Sequence, residues 1–112
     1  MENKYTLEKS TESNRDGFDI NIYNTKKDFE RASTALLSVN GFHGRTKNKT
    51  NDRIYYVIEG VGEFIIEDKT ISVKSTDVVI IPKNTLYDFK GNMKLFLVHT
   101  PAFDRENEVK DL

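Results

Sequence analysis

Cysteine is absent from the 112 residues, which excludes disulfides, a thiolate nucleophile and any cysteine-held metal, so packing and hydrogen bonding alone must hold the fold. No stretch approaches the roughly 20 apolar residues of a membrane-spanning helix, and the opening MENKYTLEKS lacks the apolar run of a secretory leader. No membrane association and a cytoplasmic location are therefore expected. Excess charge is missing as well: 17 lysines and arginines face 18 aspartates and glutamates, and the net charge of −1 gives no general pull toward nucleic acid. Internal repeats and low-complexity segments are lacking too. At this length one modest core is expected, and everything functional must share it.

What the chain does contain is a series of short β-forming runs. FDINIY at Phe18–Tyr23 alternates apolar and polar positions, as a half-buried strand does. Thr25 and Asp28 resemble a helix cap, with KKDFERA long enough for only a turn or two. ASTALLSV at Ala32–Val39 suits a strand or a short helix, and the β-like sequence that follows Asn40-Gly41 favours the strand. RIYYVIEGVGEFII at Arg53–Ile66 sets Arg53, Tyr55 and Val57 on one face and Ile54, Tyr56 and Ile58 on the other. Both faces are largely apolar, which predicts a closed or double-layered sheet. Gly60-Val61-Gly62 reads as a hairpin turn, because no following helix and Lys supply a phosphate-binding context. Ile71–Lys74, Val78–Ile81, Leu86–Phe89 and Met93–His99 complete the strands, broken at Ser75-Thr76-Asp77, Pro82-Lys83-Asn84 and Gly91-Asn92. The expected organisation is a flexible or edge segment over 1–17, one β-domain over 18–103 and a solvated tail over 104–112.

Over about Ala32–Phe103 the chain resembles a small single-domain cupin. YYVIEGVG at Tyr55–Gly62 resembles the strand that closes the first cupin motif, Pro82 matches the second, and Gly91–Phe103 resembles a cupin end. Asn84 stands where the family's glycine takes a left-handed turn, a conformation Asn tolerates. The resemblance implies an all-β, jelly-roll barrel of the double-stranded β-helix type, here with an N-terminal arm strand. It also implies where a metal would be gripped, and there the chain departs: the expected Glu is Arg53 and the expected His after Pro82 is Tyr87. The paired His positions fall on Thr46 and Asn48 or on Lys47 and Lys49. None of these reproduces a three-His, one-Glu site, so neither a metal nor another cofactor is expected.

Within that frame Arg53, Tyr87 and Tyr55 point inward, where a guanidinium fork and phenolic hydroxyls can bind a small polar, anionic or sugar-like molecule. The alternative is that Arg53 meets a protein acid and Tyr87 caps the core. Arg45 and Lys47, alternating with Lys49, could rim the opening and steer an anion, or form a wet edge that prevents sheet pairing. Metal-independent binding is the main expectation. A metal-free isomerase, epimerase or lyase is the second, with His43 and His99 as its acid/base candidates, each otherwise a solvated or structurally hydrogen-bonded histidine. A structural or interaction domain is the third. A homodimer joined through Phe18–Tyr23 as an arm is expected, and nucleic acid is not expected as a partner.

Overall fold

Period-two burial sets the wall of the fold. In the computed structural model, which describes residues 1–110, strand β5 (Asp52–Ile66) buries Arg53, Tyr55 and Val57 and leaves Ile54, Tyr56 and Ile58 on the outer side. It pairs antiparallel along most of its length with β8 (Tyr87–Thr100), whose Tyr87, Phe89, Met93, Leu95, Leu97 and His99 are all buried. Strand β3 (Ser33–Phe42) lines the other edge of β8 and adds Ala35, Leu37 and Val39 to the core. The strand reading of Ala32–Val39 therefore stands, its branched and aliphatic residues alternating inward.

Beyond β3 lie β2 (Phe18–Asn24) and β1 (Thr11–Arg15). On the far side, β6 (Lys69–Lys74) and β7 (Val78–Ile81) pair with successive parts of β5. The short β4 (Thr46–Asn48) joins β8 to β9 (Glu108–Lys110), which follows a single 3-10 turn at Arg105–Asn107. The product is an all-β, cupin-like curled sheet resembling jelly-roll folds. Thr25 to Asp28 forms a turn rather than a helix, closed by the Thr25 amide on the Asp28 carboxylate at 2.9 Å.

Three sequence expectations are corrected. Gly60-Val61-Gly62 is not a hairpin turn: β5 runs straight through it, with a register shift between Val57 and Glu59. Gly60 has φ +92°, and a Cβ there would lie 2.2 Å from the Asn92 carbonyl oxygen, so the glycine serves a close strand crossing instead. Gly91-Asn92 is likewise internal to β8. The real hairpin turn is Glu67-Asp68, between the paired Ile66 and Lys69, with Glu67 at φ +56°. Second, Phe18–Tyr23 is no free arm, because β1 and β3 occupy both of its edges. Third, the segment read as a solvated tail folds back, Asn48 pairing with Glu108 and Lys47 with Val109. Asn84 does take the left-handed conformation, φ +61°, and its amide donates to the Asn48 carbonyl at 2.7 Å.

Candidate active site

The inward rows of β5 and β8 begin with polar residues, and the curl of the sheet brings them together. Arg53 and Tyr55 come from β5, Tyr87 from the start of β8 and Glu108 from β9. Arg53 Nη1 donates to the Tyr87 hydroxyl at 2.8 Å, and Nη2 donates to Glu108 Oε1 at 2.6 Å. The hydroxyls of Tyr55 and Tyr87 lie 2.5 Å apart. Asn48 Nδ2 supports the same Glu108 oxygen at 3.1 Å, while its own Oδ1 accepts from the amides of Thr50 and Asn51. Arg53 Nε is buried and unpartnered, a donor still open to an oxygen acceptor.

Two phenols that share one hydrogen bond leave one phenolic proton over. The Tyr87 oxygen accepts from Arg53; if it also accepts from Tyr55, its own proton is free, and if it donates to Tyr55, the free proton is that of Tyr55. Burial raises the pKa of both phenols, most for Tyr55, while the Arg53 cation opposes the rise at Tyr87. Both are neutral donors at neutral pH. Burial also disfavours the charge of Arg53, yet Tyr87, Tyr55 and Glu108 outweigh it and hold the guanidinium protonated.

His43 follows β3 and stacks against Tyr87 with ring centroids 5.8 Å apart, and it packs against Phe89 and Phe18. Its amide donates to the Phe89 carbonyl at 2.9 Å, and the Gly44 amide donates to Asp88, which fixes the loop. His43 Nδ1 lies 2.8 Å from the Gly44 carbonyl, which only accepts, so Nδ1 carries the hydrogen and Nε2 keeps its lone pair. Burial lowers its pKa, with Arg53 adding to the effect. The ring is thus a neutral base of fixed tautomer.

His99 ends the inward row of β8, opposite Arg53 in register, with its ring 5.1 Å from that of Phe103. Burial, Arg53 and His43 push its pKa down to about 3. A histidine held neutral when folded binds its proton only on unfolding, so stability is fully present above about pH 6.5 and declines as pH falls toward 3. Unfolding free energies from denaturant titrations at pH 7 and pH 4.5 should therefore differ by a few kcal/mol in the parent, and His99→Phe should flatten the profile. An unchanged slope in that variant would assign the acid lability elsewhere, His43 being the other neutral histidine.

Of the seven residues picked out from the sequence, Arg53, Tyr55, Tyr87 and His43 form one cluster, with His99 beside Arg53. Arg45 and Lys47 do not join it. In β4 the buried residues are Thr46 and Asn48, so the same alternation carries Arg45, Lys47 and Lys49 to the opposite face. The acid that meets Arg53 is Glu108, which sequence reasoning missed, since no spacing signal connects it to a residue so far upstream. Among the described residues no group of three or more His, Cys, Asp or Glu is placed to hold a metal ion. No helix among them is long and apolar enough to cross a membrane.

The profile of the family described as Ethanolamine utilisation protein EutQ matches residues 24–104. Among solved structures, Streptomyces PAC13 in a histidine-to-glutamine variant with uridine is 27% identical, with a TM-score of 0.93 over 100% of this chain and 92% of that one. A tyrosine-to-phenylalanine variant with uridine is 29% identical, with a TM-score of 0.92 over 99% and 91%. Pac13 is described as a unique nucleoside dehydratase. KdgF from Halomonas sp., at 13% identity and a TM-score of 0.80 over 95% of this chain and 99% of that one, shares the fold. No curated protein matches. The fold is thus that of a small cupin-related protein, with no His/Glu metal cluster among its described residues.

Proposed function

The chain belongs to the Ethanolamine utilisation protein EutQ family, and from that premise we propose that it is a metal-independent lyase that binds a nucleoside-like molecule and eliminates water from it. The observation that carries this reading is the neutral, tautomer-fixed His43 stacked on Tyr87, whose pairing with the Tyr55 phenol keeps one proton to give. The likeness to a nucleoside dehydratase over nearly the whole chain supports it, as do that protein's variants with uridine, in which a histidine or a tyrosine is replaced. We read the curled sheet as a closed jelly-roll barrel with this cluster at its inner end.

His43 Nε2 takes a proton from a carbon next to a carbonyl, since imidazole cannot remove an unactivated C–H proton. The C–H electron pair becomes the new C=C bond, the neighbouring C–O bond breaks, and the leaving hydroxyl takes the phenolic proton of the Tyr55–Tyr87 pair and departs as water. Arg53 lies beside Tyr87 and offsets the charge left on the phenol, while its free Nε is placed to hold a ligand oxygen.

The charge inside is already matched, Arg53 against Glu108. An added anion would have to displace Glu108 or remain uncompensated in a buried site, so the ligand is uncharged. This narrows the polar-or-anionic expectation to a nucleoside rather than a nucleotide. Titration calorimetry should show uridine binding at least about tenfold more tightly than its 5′-monophosphate, or ~1.4 kcal/mol. Incubation with nucleosides bearing a carbonyl next to the sugar carbon that loses its proton should yield a product one water lighter by mass spectrometry. Tighter binding of the monophosphate would defeat the uncharged-ligand reading; uridine binding with no dehydration of any such carbonyl compound would reduce the protein to a binding module.

A further inference from the structure

Buried polar atoms ordinarily find a hydrogen-bond partner, and in this chain the exceptions fall together. Among the described residues, two buried side-chain polar atoms are left without one, Arg53 Nε and Asn51 Oδ1. They belong to one inward row at the start of β5, where alternation leaves Asn51, Arg53 and Tyr55 only 1%, 3% and 1% exposed. The remaining polar atoms of both side chains are committed. Arg53 gives Nη1 to Tyr87 and Nη2 to Glu108. Asn51 Nδ2 donates to the Pro101 carbonyl at 2.6 Å and to the Ala102 carbonyl at 3.1 Å, and its backbone amide donates to Asn48 Oδ1 at 2.8 Å.

Neither atom can change its character. A guanidinium nitrogen only donates. The Asn51 amide cannot turn over, because its oxygen would then face two carbonyls that only accept. A fixed donor beside a fixed acceptor restricts what can satisfy both. An anion answers Arg53 and is repelled by the Asn51 oxygen, a cation does the reverse, and an apolar group leaves both unpaired. A carbonyl with an N–H next to it answers the two together.

We infer, resting on the nucleoside reading of this site, that Asn51 and Arg53 form its base-reading subsite and select uracil over cytosine. Arg53 Nε donates to the ring carbonyl nearest the sugar, and Asn51 Oδ1 accepts from the N3–H beside that carbonyl. Arg53 also holds Tyr87, whose phenol serves the sugar, so the carbonyl closest to the sugar is the one its Nε can reach. Cytosine keeps that carbonyl but has a lone pair where uracil has the N3 hydrogen. It would meet the Asn51 oxygen acceptor to acceptor in a buried site, where an unmade bond costs most. A methyl group on N3 removes the same donor and adds bulk at the same point. Water bridging the two atoms is the rival occupant, and it would confer no choice between bases.

Calorimetric titration of the full chain with uridine, cytidine and 3-methyluridine tests this. Uridine should bind about tenfold or more tightly than either, because each competitor leaves the Asn51 oxygen unpaired. In Asn51→Ala the preference for uridine over cytidine should shrink to within about threefold, since the repulsion goes with the bond. A merely structural role for Asn51 would weaken both nucleosides alike and keep the preference. If that variant loses its native circular dichroism spectrum, NMR of the parent with nitrogen-15-labelled uridine decides: the bound N3–H should give a slowly exchanging imino resonance, and binding should move the Arg53 Nε–H resonance. Equal binding of uridine and either competitor overturns the subsite and leaves the nucleoside reading standing. So does a preference that survives in folded Asn51→Ala, or bound uridine whose imino proton exchanges freely. Failure of all three nucleosides to bind overturns both.

Discussion

Replacement of His43 by glutamine is expected to lower the turnover of a dehydratable nucleoside by about 10²–10⁴-fold, the usual contribution of a positioned general base. Glutamine approximates the length of the side chain and sets an amide where Nε2 stood, but it has no lone pair able to take a proton from carbon. Uridine affinity should change by only a few fold, so the loss falls on kcat. The pH profile separates this role from packing against Tyr87 and Phe89. Burial lowers the His43 pKa below the ordinary 6.5, so the acid limb of kcat/KM in the parent falls below that range. In the variant that limb disappears along with the rate. Turnover within about threefold of the parent would remove His43 from the chemistry. Tyr87→Phe is the companion case: it takes the acceptor from Arg53 Nη1 and the partner from Tyr55, so it should depress turnover and stability together.

The parts of this site that were legible in the sequence are those governed by local geometry. Alternation put Arg53, Tyr55 and Val57 on one face without reference to anything distant, and the left-handed Asn84 followed from one side chain's tolerance. Other parts depended on partners that no local pattern encodes. Alternation also grouped Arg45, Lys47 and Lys49 correctly, but which face turned inward was decided by Thr46 and Asn48. Thr46 pairs with Tyr87, and Asn48 bonds Glu108. Glu108 itself reaches Arg53 across 55 positions, carried by a strand of three residues in a stretch whose composition reads as solvated. Its arrival turns Arg53 from an open anion receptor into a charge-balanced donor, which is why the ligand proposed from the structure is neutral while the expectation from the sequence left a polar, anionic or sugar-like molecule open. The glycines misled for a related reason: a positive φ serves a turn and a strand crossing equally well, and only the opposing backbone distinguishes them.

That opposing backbone makes Gly60 the position where the smallest substitution should do the most damage to the fold. In Gly60→Ala the added methyl would sit 2.2 Å from the Asn92 carbonyl oxygen and 2.6 Å from Met93 Cα, both backbone atoms that cannot rotate away. Relief requires β5 and β8 to part where they pair most extensively, beside the buried Val57, Met93 and Leu95. The left-handed φ adds roughly 1–2 kcal/mol for a residue with a Cβ, and forced separation of packed strands adds roughly 1–3 kcal/mol. Together these take about 2–5 kcal/mol from a domain whose whole stability is of order 5–15 kcal/mol. Gly44→Ala is the control, because φ there is +101° but nothing lies within 4 Å of the added carbon. It carries the conformational cost alone, so its denaturation midpoint should fall by only about two-fifths to one half as much. Equal midpoints for the two variants in urea would show that the strand crossing at Gly60 yields freely.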